Sequence, residues 1–320
     1  MLAAGCRDIV DIVTACDDGY AQHAHVLVES MLSTNPDCNF RVYVLVPAGF
    51  THAGRLSQLE NHANCEIALV EIDTALVGDL RVSGHITTAA YFRLLIGDVL
   101  PAKLKRILYF DSDIVVAGDV LPLWQTDLDD NIIGAVADAT PEEEHERVRR
   151  IVLTGGKSYF NSGVMLVDLA RWREEDIAGK ALAFCREHPD RLHYWDQCAL
   201  NYVLAGDVLS LDVVWNMQNW HVGKAAAEKD RQSVFDSVRV VHFTALKPWF
   251  YACRHPFAEM YWKFLKQTPW SDYVPPDRTF ANIVRRELRD LLPDWLVRAA
   301  RYDLSTLQLP NQMPALGKKA

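Results

Sequence analysis

The stretch RILYFDSD, residues 106–113, decides how this chain is read. Arg106 to Phe110 is a short apolar run that predicts a buried strand, and it runs straight into Asp111-Ser112-Asp113. Along extended backbone alternate side chains share a face, so Asp111 and Asp113 can point at one spot. Open parallel sheets bind ligands at the carboxyl ends of their strands. Two carboxylates in such a mouth repel each other unless a cation lies between them, and carboxylate oxygens suit a hard divalent ion. The plainer alternative is a loop pair that caps the next segment. On the N-terminal side, Asp8–Ala15 (DIVDIVTA), Phe40–Val46 (FRVYVLV) and Glu66–Ile72 read as strands. Helices are expected between them at Tyr20–Thr34 and Thr51–His62, which makes the opening of a parallel sheet with right-handed crossovers. Residues 73–86 show no pattern, and Thr87–Val99 reads as a helix ended by Leu100-Pro101. On the C-terminal side strands are expected at Ile132–Ala137, Gly163–Leu169 and Val238–Phe243. Helices are expected around Pro141–Val152 and at Trp195–Leu204.

A chain of 320 residues, half of them apolar, can bury a full core. Its net charge of −9 argues against a nucleic-acid partner. The charge is uneven: residues 278–320 hold eight basic and four acidic side chains, a net +4 that leaves −13 on residues 1–277. The seven cysteines show no CxxC pair or regular spacing, which predicts reduced, mostly buried thiols and a cytoplasmic protein. Met1 to Arg7 is too short for a signal sequence, and no apolar run approaches the ~20 residues of a spanning helix.

Three further stretches carry polar side chains where ligands bind. His242-Phe243-Thr244-Ala245-Leu246-Lys247-Pro248-Trp249 follows the last expected strand. An imidazole beside two aspartates would complete a metal site and shift preference from Mg²⁺ towards Mn²⁺, and Lys247 is placed to neutralise a phosphate. Thr14 to Tyr20 (TACDDGY) closes the first strand, where small residues let the backbone reach a base and Asp17 can either accept from it or cap the helix. Tyr159-Phe160-Asn161-Ser162-Gly163 and Trp195-Asp196-Gln197 set polar groups among aromatics, and there a turn residue and an N-cap are the simpler readings. Neither GxGxxG nor GxxxxGK[ST] occurs, which removes the usual dinucleotide and P-loop readings.

In this order the segments resemble glycosyltransferase family 8, the group of bacterial lipopolysaccharide galactosyl- and glucosyltransferases and of glycogenin. The resemblance is carried by IVTACDDGY (12–20), TTAAYFRLLIGDVLP (87–101), RILYFDSDIVVAGDVLPLW (106–124), YFNSGVMLVDLARWR (159–173), YWDQCALN (194–201) and HFTALKPW (242–249). It implies an α/β protein of the GT-A fold, a Rossmann-like nucleotide-binding sheet fused to a smaller acceptor-side region. It also implies a retaining transfer of a hexose, galactose or glucose, from a UDP-sugar to a glycan or glycolipid acceptor such as lipopolysaccharide. The implied metal is Mn²⁺, with Mg²⁺ as the alternative, held by Asp111, Asp113 and His242. Ala15, Asp17 and Tyr20 match the uridine pocket, Arg93, Ser112, Asn161 and Lys247 the rest of the donor site. Asp138, Asp196 and Gln197 match the catalytic region around the transferred sugar. Two departures stand out: Ala245 replaces a glycine usual beside the pyrophosphate, and Gly19 stands where relatives often carry Asn.

The catalytic domain is expected over residues 1–277 and a basic amphipathic tail over 278–320. From Thr279 to Tyr302 apolar side chains recur at helical spacing with arginines between them, broken at Pro293. Such a segment can lie on an anionic membrane surface or pack on the acidic body. Two rival functions remain. A haloacid-dehalogenase-type phosphatase also places DxD after a strand, and Val115 satisfies its next position, yet its DxD opens the fold. An inactive sugar-nucleotide sensor would have no need of all three metal ligands.

Overall fold

A computed structural model describes residues 9–82, 87–140, 148, 152, 158–227 and 231–290. Its main sheet has seven strands in the order β3-β2-β1-β4-β7-β6-β8. They are β1 (Ile9–Ala15), β2 (Asn39–Pro47), β3 (Cys65–Ile72), β4 (Arg106–Phe110), β6 (Ile133–Ala137), β7 (Phe160–Asp168) and β8 (Val208–Ser210). A smaller sheet orders β5 (Ile114–Val116), β10 (Val240–His242) and β9 (Met217–Gln218). β1 is parallel to both β2 and β4, β2 is parallel to β3, and β7 runs antiparallel between β4 and β6. The expected parallel front half is therefore present, and the sheet becomes mixed beyond β4.

The apolar runs are continuous because both faces of the sheet are covered. Val13 and Ala15 of β1, Ile107 and Tyr109 of β4, and Met165 and Val167 of β7 enter one core. Val10 and Ile12, Leu108 and Phe110, and Val164 and Leu166 enter the other, beneath α1 (Ala21–Thr34). A third cluster joins Val115, Val241 and Phe243 of the small-sheet region to Trp249 and to Tyr261 and Phe264 of a later helix, Ala258–Leu265. Six described cysteines are free and five of them buried; Cys6 lies outside the described residues.

Several boundaries differ from the sequence reading. The helix expected at Thr51–His62 is a short α turn, Ala53–Leu56, continued as 3₁₀ over Ser57–Asn61. Only Leu56 and Leu59 of it are buried, and side chains three apart eclipse on the tighter helix. Thr88–Leu95 is likewise 3₁₀, with α winding only at Ile96–Val99. β7 starts at Phe160, so Asn161 is a strand residue and not a turn residue. Of the helix expected at 141–152, only Val148 and Val152 are described, both buried in the first core. Thr279–Tyr302 is helical over Phe280–Asp290, and residues 291–302 lie outside the described residues. No described helix is long and apolar enough to cross a membrane.

Candidate active site

Sheet order reverses between β1, whose other neighbour is β2, and β4, so the crevice beyond their carboxyl ends is a topological switch point. Ala15 closes β1 there and Phe110 closes β4. Asp111 follows at once, its N–H donating to the Gly163 carbonyl at 2.8 Å. The chain turns into β5, which pairs Ile114 with His242 of β10, and the Phe243 N–H donates to the Asp113 carbonyl at 3.1 Å. The two sheets thus bring three expected ligands together. One donor atom from each of Asp111, Asp113 and His242 lies within 4.8 Å of the others. His242 Nε2 is 3.2 Å from Asp113 Oδ1 and 3.9 Å from Asp111 Oδ2. Two carboxylates and one imidazole are a donor set that fits a divalent cation. Gly163 makes room for it: a Cβ there would sit 2.2 Å from His242 Cε1 and 2.8 Å from Asp111 Oδ2.

Cations already hold both aspartates. Lys247 Nζ contacts Asp113 Oδ2 and donates to the Phe243 carbonyl at 2.7 Å. Burial alone would raise the Asp113 carboxyl, but Lys247 and His242 outweigh it and hold it well below the carboxylate range. Asp111 accepts from Tyr109 at 3.1 Å and is gripped by Arg93, Nη1 at 3.2 Å and Nη2 at 2.7 Å. Arg93 also donates to Ser162 and places Nε 2.8 Å from Asp196 Oδ2. That last contact is an ion pair and not a hydrogen bond, because Nε directs its hydrogen at the Ala90 carbonyl. Burial pushes the Asp196 carboxyl up to about 6 against the pull of Arg93. Breaking such a buried pair from one side costs about 3–5 kcal/mol.

A network of amides lies beside this cluster. Asp138 Oδ2 accepts from Gln197 Nε2 at 2.9 Å and Asn161 Nδ2 at 3.2 Å. Gln197 Oε1 accepts from the Ser162 N–H at 3.2 Å. Asp196 and Gln197 open a helix, Trp195–Val203, that has no side-chain cap, so Asp196 is not the N-cap that sequence alone favoured. Trp195 before them has φ 43°, a left-handed backbone that costs a bulky residue about 1–3 kcal/mol and is held only by its surroundings.

The β1 turn is split in role. Asp17 Oδ1 accepts from the Tyr20 N–H at 3.1 Å, the helix-entry bond, while Asp18 holds Thr51. Tyr20 packs edge-on to Trp249, 5.8 Å between centroids, and Trp249 stacks on His23 at 3.5 Å. The KPW segment is thereby fixed against α1. Ser112 is buried between the two aspartates. Ala245 is exposed and is not among the positive-φ residues, so its methyl group imposes no backbone strain. Sequence reasoning missed Tyr109 and Asn216 as site residues. Tyr109 could have been found as the inward polar aromatic next to DxD, whereas nothing around Asn216 announces it.

The profile of the family described as Glycosyl transferase family 8 matches residues 11–253. General stress protein A of Bacillus subtilis (strain 168) is 32% identical over 282 residues, 84% of this chain and 97% of that protein. Lipopolysaccharide 1,2-glucosyltransferase of Escherichia coli (strain K12) is 28% identical over 295 residues, 89% of this chain and 86% of its own. Among solved structures, the galactosyltransferase LgtC in complex with donor and acceptor sugar analogs superposes with a TM-score of 0.72 at 28% identity. It covers 84% of this chain and 98% of LgtC.

Proposed function

Because the chain belongs to glycosyl transferase family 8 and is a retaining hexosyltransferase of the GT-A fold, we propose that its donor is UDP-galactose or UDP-glucose and its metal Mn²⁺. The acceptor in this reading is a hydroxyl of lipopolysaccharide or another glycan, as the name of the Escherichia coli relative suggests. The observation that carries it is the convergence of Asp111, Asp113 and His242 at the switch point, with Lys247 beside them. Residues 1–277 form the catalytic domain in this reading.

Bound there, Mn²⁺ supplies Lewis-acid charge to the diphosphate. Lys247, close against Asp113, is the cation that meets charge developing on departing UDP. Ala15, Asp17 and Tyr20 line the uridine side, and Arg93, Ser112 and Asn161 the sugar–phosphate side. Asp138, Asp196 and Gln197 surround the transferred hexose. A covalent intermediate suits neither Asp196, which is 5% exposed and paired with Arg93, nor Gln197, whose amide is barely basic. Same-face attack, with these groups orienting the sugar and stabilising its charge, fits better. The phosphatase alternative needs Asp111 free as a nucleophile, and both its oxygens are engaged by Arg93.

The tail supports a peripheral contact with the cytoplasmic face of a membrane. Phe280 is 82% exposed at the start of its helix and Arg285 is exposed in the middle of it, while Arg286 is anchored over the Tyr251 ring at 5.0 Å.

The test is UDP release from a panel of UDP-sugars, with Mn²⁺ or with chelator, in the wild type and Asp113→Ala. Release from one sugar that needs Mn²⁺ and vanishes in the variant is expected. Hydrolysis of generic phosphoesters, or no donor turned over in any metal, would overturn the reading.

A further inference from the structure

Asn216 lies just before β9, fully buried, in a stretch without any recognisable motif. Its side chain is the middle link of a hydrogen-bonded chain from Asp138 to His242, and the direction of every link is set by groups that have no choice. The Asp138 carboxylate can only accept, and it faces Asn161 Nδ2 at 3.2 Å. The Gly163 backbone N–H can only donate, and it faces Asn161 Oδ1 at 3.1 Å. These two neighbours fix the Asn161 amide independently and in agreement. Asn161 Oδ1 then accepts from Asn216 Nδ2 at 2.9 Å, which turns Asn216 Oδ1 towards His242 Nδ1, also at 2.9 Å. An amide oxygen only accepts, so the proton on that side belongs to Nδ1. Nε2 is the nitrogen turned to Asp111 and Asp113.

We propose that Asn216 is a positioning residue that fixes the tautomer and ring orientation of His242, presenting Nε2 to the cation. Its own orientation is imposed through Asn161 from Asp138 on the sugar side. This rests on the reading of Asp111, Asp113 and His242 as the divalent-cation site. Without the Asn216 oxygen the imidazole can carry its proton on Nε2, where an N–H points at the carboxylates and competes with a cation. Metal ligands are commonly held this way by a partner on their second ring nitrogen, and losing that partner weakens binding about 10–100-fold.

The experiment uses the full chain, without donor, and measures Mn²⁺ affinity by calorimetry for the wild type, Asn216→Leu, Asn216→Asp and Asp113→Ala. Asn216→Leu is expected to bind Mn²⁺ about 10–100-fold more weakly. Asn216→Asp keeps an acceptor for Nδ1–H but faces Asn161 Oδ1 with a second acceptor and adds a buried charge, so it is expected to bind Mn²⁺ more tightly than Asn216→Leu. A second readout does not depend on how the Asn216 variants fold. In ¹⁵N-histidine spectra of the Mg²⁺-loaded wild type at pH 8, His242, identified by its absence in His242→Gln, carries its proton on Nδ1. A proton found on Nε2, or unchanged Mn²⁺ affinity in Asn216→Leu, overturns the proposal. If Asp113→Ala binds Mn²⁺ as tightly as wild type, the cation-site reading itself falls. If Asp113→Ala is weak and Asn216→Leu is not, only the role of Asn216 falls.

Discussion

Gly163 shows how much of the site one residue type decides. Its carbonyl takes the Asp111 N–H, its N–H fixes Asn161, and its missing Cβ leaves the space that His242 occupies. With a Cβ 2.2 Å from His242 Cε1, Gly163→Ala must push the imidazole off its position. The backbone there is ordinary strand, so the fold should persist while the centre is lost. We expect Mn²⁺ affinity and transferase activity both to fall about 100-fold with far-ultraviolet circular dichroism unchanged. An active Gly163→Ala enzyme would mean that the three ligands do not work in this arrangement. Much at this scale was legible in the sequence. Asp111, Asp113, His242 and Lys247 sit in motifs because strand ends place them. Asn216 was not legible, because its position depends on a contact with His242 that only the tertiary fold creates.

At the scale of elements, α1 serves the ligand loop as a clamp. Ser30 Oγ accepts the Val116 N–H at 2.9 Å while donating to the Leu27 carbonyl, and Asn35 Oδ1 accepts the Val120 N–H at 2.8 Å. All of these atoms are buried away from water. Ser30→Ala strands the Val116 N–H, so a loss of about 1–3 kcal/mol is expected in urea unfolding. A midpoint equal to that of wild type would show that β5 holds without the helix. The strands β1 to β4 were readable because sheet burial on both faces writes long apolar runs. The three-residue β5 and β8 and the two-residue β9 are too short to carry a period, and so of the small sheet only β10, inside the expected strand Val238–Phe243, was readable. The helix Ile177–Glu187 escaped for another reason. It is launched by Asp176 in a left-handed conformation, which a Glu-Glu-Asp stretch does not advertise.

For the molecule as a whole, buried imidazoles set the response to acid. Burial lowers His23 to about 3 and His25 and His255 to about 4. Their unfolded values lie near 6.5. Between pH 6.5 and about 4 the unfolded chain therefore binds protons that the native state refuses. Stability should fall as pH drops through that window, by about 1.4 kcal/mol per histidine per pH unit. Asp196, raised by burial to about 6, acts with opposite sign and offsets part of one histidine's share. Urea midpoints measured from pH 7 to 4.5 should decline steeply, and His255→Phe should flatten the curve. A midpoint that holds steady or climbs towards pH 4.5 would contradict the assignment of these rings as neutral.

The seam between the two sheets has a mechanical side as well. Asp113 leaves the large sheet and His242 belongs to the small one, and between them lie 128 of the 320 residues. A cation gripped by both is a reversible cross-link closing that long loop, and loop closure removes freedom chiefly from the unfolded chain. The ion that serves the chemistry is then also a rivet, and stripping it with a chelator should loosen the small sheet and its helices before the Rossmann-like half gives way.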